Sequence, residues 1–219
     1  MFASAKARLD EALEAVYREF DAPTPAMIEG CPCCIETRGV DVLLNTPLRE
    51  ITGQQIWRYV SGVFLTIGSE TDFRYFLPRI LELSAYDPGS ANDAEIVIGK
   101  LGLANWKGWR QSERFATERF LDAWFAWTAA DELAHADDGP IGWQTESLLC
   151  GAARAGVSLE RWSPTLRSKY AEPLLVGLRE RFASGLSSFW DDAPKGRAEL
   201  ASILSDSPSD GPISTATLH

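Results

Sequence analysis

The chain has 219 residues, 45% of them hydrophobic and 24% charged, which suffices for one domain around one buried core. Its formal charge is −10, from 21 basic and 31 acidic residues, and the acidity is spread along the sequence. Nucleic-acid binding needs clustered Lys and Arg to release counterions, so that class is disfavoured. With only two histidines, one of them the last residue His219, most His-built metal sites and most acid–base chemistry are removed as well.

The first predicted element is an amphipathic helix over residues 1–20. Leu9, Leu13, Val16, Tyr17 and Phe20 share one face, and there is no continuous apolar run of the kind a signal peptide carries. Pro23 and Pro25 stop it, since proline lacks an amide donor and restricts the residue before it. A loop with Cys31, Cys33 and Cys34 follows, then a short helical turn near 41–44. Thr52 and Gln55 form a capping box, after which Ile56, Trp57, Val60, Phe64 and Ile67 keep a helical period until Gly68. The segment 71–84 puts Phe73, Phe76, Leu77, Ile80 and Leu81 on one face, with Pro78 inside marking a kink or a new start. Residues 93–103 read as helix, although Ile96-Val97-Ile98 also suits a strand.

A loop with Trp106 and Trp109 leads into the strongest element, 112–135, whose Phe120, Leu121, Trp124, Phe125 and Trp127 give a wide apolar arc suited to a central helix. Further helices are expected at 142–155, 163–183 and 194–204. The Ser-, Asp-, Pro- and Gly-rich tail 205–219 reads as disordered. The fold class is all-α, a multi-helix bundle or short α-solenoid of about eight or nine helices. It forms a single domain over 1–204, in a chain that spans no membrane and resides in the cytoplasm.

Chemistry concentrates in Cys31-Pro32-Cys33-Cys34. Three crowded thiols completed by Cys150 or His135 make a Cys₄ or Cys₃His set for zinc or another soft metal, although adjacent Cys33 and Cys34 cannot easily both ligate one ion. The Cys31/Cys34 spacing, with proline after the first cysteine, resembles the active-site motif of glutaredoxins. That resemblance implies a redox dithiol, yet the strands of that fold do not announce themselves. The plainest alternative is that these cysteines, and Cys150 in its Leu-Leu-Cys-Gly-Ala-Ala run, only pack. Glu132 and His135 have an E-x-x-H spacing, but without a second such pair a di-iron site fails. His135 better suits a helix C-terminus, and a Cys–His nucleophile with Asp131 or Glu132 as orienter has no specific support.

Phosphate-binding and hydrolase signatures are missing from the sequence. The leading expectation is therefore a non-enzymatic protein acting on a protein partner, in a regulatory or toxin-neutralising manner. Trp106, Trp109 and Arg110 in one loop, and Asp72, Arg74 and Arg79 on the 71–84 segment, are the candidate contact residues, with local pairing or packing as the alternative.

The C-x-C-C loop together with Asp72-Phe-Arg-Tyr-Phe-Leu-Pro-Arg-Ile-Leu-Glu82 and the Trp106/Trp109 loop resembles a family of bacterial helical proteins. That family has no assigned activity. The resemblance reaches to about Trp127, implies a helical bacterial cytoplasmic protein, and carries over no catalytic residues.

Overall fold

The computed structural model describes residues 2–33, 35 and 39–205. Cys34 and the tail 206–219 lie outside the described residues. The fold is all-α, 73% helical and without strands among the described residues. The helices are α1 (Phe2–Glu19), α2 (Asp41–Asn45), α3 (Gly53–Gly62), α4 (Glu70–Tyr86), α5 (Ala94–Leu103) and α6 (Gln111–Ala134). They continue with α7 (Trp143–Arg154), α8 (Ser163–Leu166), α9 (Glu172–Ser184) and α10 (Pro194–Ser205). None of them is long and apolar enough to cross a membrane.

The apolar stripe of α1, Leu9, Ala12, Leu13, Val16 and the following Phe20, is buried, and α1 runs mainly along α6. A solenoid repeat touches only its neighbours, so this long-range pairing makes the architecture a bundle. The second main pairing joins α5 and α7. Gly151 permits it, because a Cβ there would stand 2.6 Å from the Ala94 carbonyl oxygen and 2.8 Å from Ile98 Cβ. Ile96-Val97-Ile98 is helical, with Val97 and Ile98 buried and Ile98 at this contact. One continuous core extends from Leu9 to Leu204.

Three expectations are corrected. The helix starting at the Thr52 capping box stops at Gly62 and does not reach Ile67. Val63 ends it, Phe64 turns with φ +63°, and the buried Lys100 ammonium donates to the carbonyls of Val63 (3.0 Å) and Ser61 (3.3 Å). Helix α4 carries Pro78 in mid-helix and starts from a Ser69–Asp72 capping box, so of the two readings at Pro78 the new start is overturned. The predicted helix 163–183 is divided: α8 and α9 are separated by the turn Lys169–Ala171.

Candidate functional site

The thiol loop is fixed by what precedes and faces it. After the prolines end α1, Gly30 crosses the turn 63–67 with φ +152°. A Cβ on Gly30 would meet Ile67 Cα at 2.8 Å and the Thr66 oxygen at 2.9 Å, so only glycine lets the two segments come this close. The Gly68 amide donates to the Glu29 carbonyl (2.7 Å), and the Cys31 amide to the Thr66 carbonyl (3.2 Å). Beyond the thiols, Ile35 donates back to the Cys31 carbonyl (3.0 Å) and packs on the core.

The anchoring turn is itself held from below. Asp72 is buried and accepts from the Tyr59 hydroxyl (2.6 Å), the Ser69 amide (2.7 Å) and the Ser69 hydroxyl. Burial and the Asp72 carboxylate push the Tyr59 hydroxyl well above its ordinary pKa, so it remains a donor. Asp72 is thus a structural bracket for α4 and not a partner contact.

On this support the Sγ atoms of Cys31 and Cys33 lie 2.9 Å apart, and both residues are exposed. Leu65, next to the Thr66 that holds Cys31, and Met27 are each 67% exposed. The arrangement is therefore a dithiol on the surface, with one proline between its members.

The other expected thiol-site residues do not join it. Cys150, on α7, is fully buried. Burial, reinforced by the Glu95 and Glu146 carboxylates, pushes its thiol far above the ordinary range, so it stays protonated and packs as a small apolar group. His135 caps the C-terminus of α6, largely exposed. Its ring pairs with the Asp131 carbonyl (2.8 Å), and that contact together with the Asp131 carboxylate raises its pKa. Glu132 turns inward, accepting from the amides of Gly142 (2.8 Å), Gln144 (3.0 Å) and Thr145 (3.1 Å) at the start of α7. Among the described residues no group of three or more His, Cys, Asp or Glu gathers as a metal site would require. Cys34, the remaining member, lies outside those residues.

The candidate contact residues separate in the same way. Trp106 and Trp109 are 3% and 6% exposed, which makes them core residues and not loop anchors. Trp106 donates from its indole to the Ala155 carbonyl (2.9 Å), while Trp109 meets the Phe20 ring edge-on at 5.3 Å. Arg79 is tied down by the Ile51 carbonyl (2.7 Å) and the Glu82 carboxylate (2.7 Å). Arg74 and Arg110 converge on Glu113, whose side chain is buried. Arg110 binds it through the guanidinium (2.8 Å) and its own amide (3.0 Å), and Arg74 through Nη2. The two arginines rim a recess of about 300 Å³ whose other charged lining residues are Glu19, Asp21, Glu70 and Glu113.

Lys100, Glu113 and Glu146 hold much of the structure, a role that the sequence reading did not assign to them. Only Glu113 carries a local signal, its position three residues after Arg110 at a helix start. Glu146 takes its partners from about 40 residues away, Arg181 (2.6 Å) and the Trp190 indole (2.8 Å), which no local pattern reveals. No protein-family model, no curated protein and no solved structure matches the chain.

Proposed function

We propose that the chain is a thiol-site protein in which Cys31 and Cys33 form a reversible two-electron couple, carried by a helical body that acts without turning over a substrate. The carrying observation is the 2.9 Å separation of two exposed sulfurs on a loop anchored at both ends. Two thiols within reach of one another are all that a dithiol–disulfide couple requires, whereas a tetrahedral zinc site requires four ligands.

The oxidant fitting an exposed pair is a hydroperoxide. One thiolate attacks the peroxide oxygen, an alcohol leaves, and a sulfenic acid forms. The second thiol attacks that sulfur, releasing water. Two thiols and one hydroperoxide thus give one disulfide, one alcohol and one water. A disulfide spanning a single residue closes a small, strained ring, so it returns to the dithiol more readily than a structural disulfide does.

The test is thiol counting on the full chain before and after one equivalent of hydrogen peroxide, followed by a small-molecule dithiol reductant. The reading predicts loss of two thiols, full recovery on reduction, and no such loss in C31S or C33S. Persistence of every thiol, or loss of one thiol to irreversible acids, would overturn it.

A further inference from the structure

We infer that the reduced Cys31–Cys33 pair is also a chelating site for a pyramidal trivalent metalloid of the arsenite class, an inference that rests on the dithiol reading of the same loop. Three observations carry it: the short bite between the sulfurs, their common exposure, and the anchoring of the loop on the 63–67 turn. Ion geometry makes the selection. Zinc with Zn–S bonds of about 2.3 Å spreads tetrahedral thiolates to roughly 3.8 Å and calls for two further ligands. A two-coordinate Cu(I) ion draws its thiolates to opposite sides of the metal. Trivalent arsenic carries a lone pair that folds its bonds toward right angles, so it accepts two sulfurs close together and keeps a hydroxyl in its third position.

The reaction is a condensation with no change of oxidation state. Arsenous acid, As(OH)₃, meets two thiols, two As–S bonds form, two As–OH bonds break, and two waters leave with the thiol protons. The anchored loop holds the second thiol at high effective concentration once the first has bonded, which gives the pair its advantage over a single exposed cysteine.

The experiment is titration of the reduced full chain with sodium arsenite, followed by native mass spectrometry and thiol counting, with zinc chloride as a parallel arm. The expected result is one adduct per chain containing one arsenic and one hydroxyl, with two thiols consumed. The C31S and C33S variants should each weaken binding by more than about tenfold, the loss expected when a chelate becomes a single bond. C150S should bind as the parent chain does. No adduct, or stoichiometric zinc uptake in preference to arsenite, would overturn the assignment. Failure here is distinguishable from failure of the redox couple. A chain that forms the peroxide-induced disulfide yet takes no arsenite refutes only the chelate. A chain that binds arsenite yet forms no disulfide refutes only the couple.

Discussion

Glu113 shows how one side chain sets a local balance that a measurement can read. Its carboxylate is buried at the start of α6, where burial alone would raise its pKa, but hydrogen bonds from Arg110 and Arg74 outweigh burial and hold it below its ordinary 4.5. A depressed carboxylate contributes stability that is fully present above the unfolded-state pKa and is lost as pH falls through the folded value. The E113Q variant should therefore be less stable at neutral pH by about 1–2 kcal/mol, a modest figure because its arginine partners are partly or mostly exposed. Its stability should also fall less steeply than the parent's between about pH 5 and pH 3. Urea unfolding of both proteins across that range checks it, and parallel acid limbs would contradict the account. Cys150 and the Cys31–Cys33 pair make the complementary point: the same functional group is inert when buried beside carboxylates and available when exposed beside a second thiol.

Elements here are positioned by their ends as much as by their faces. The turn 63–67 ends α3, receives the thiol loop and leads into α4, so its contacts govern the geometry of the dithiol. Substituting Gly30→Ala puts a methyl into the Ile67 backbone and should cost about 1–3 kcal/mol. The same change should loosen the loop, seen as faster hydrogen exchange at the Cys31 amide; unchanged exchange would show that the Thr66 contact does not anchor it. Replacing Lys100 with Met leaves the Ser61 and Val63 carbonyls without this donor, and should cost about 1–3 kcal/mol in urea unfolding with the helical circular dichroism of the folded state retained. Much of this level was legible in the sequence. The α1 stripe, the Thr52–Gln55 box and the long central α6 follow from spacing and capping chemistry alone. The end of α3 was not, because Phe64 and Ile67 continue the helical period while a lysine some 35 residues later stabilises the break. Nor was the burial of Trp106 and Trp109, since a Gly- and Asn-containing loop reads as surface until Phe20 and Ala155 cover it.

At the scale of the whole molecule, one buried carboxylate adds a polar tie to the apolar packing that joins the C-terminal third to the bundle. Glu146 on α7 accepts from Arg181 on α9 and from the indole of the buried Trp190, joining segments that share no local sequence signal. Glu146→Ala leaves that indole without its acceptor and should cost about 3 kcal/mol or more. It should also expose the region after residue 155 to proteolysis while α1 and α6 stay protected; uniform protection would show that the carboxylate is no fastening. The fold class could be read from periodicity, but bundle rather than solenoid could not, because the α1–α6 pairing spans about a hundred residues. The site was half legible: the cysteine spacing marks the loop, while the 2.9 Å approach of the Cys31 and Cys33 sulfurs is visible only in three dimensions. The most direct test of the dithiol is fragmentation of the peptide spanning Cys31 to Cys34 from peroxide-treated full-length protein. A Cys31–Cys33 disulfide predicts fragment ions that separate Cys33 from Cys34 and none that separate Cys31 from Cys33. Absence of both sets, as a Cys31–Cys34 disulfide would produce, or recovery of both with every thiol intact, would contradict it.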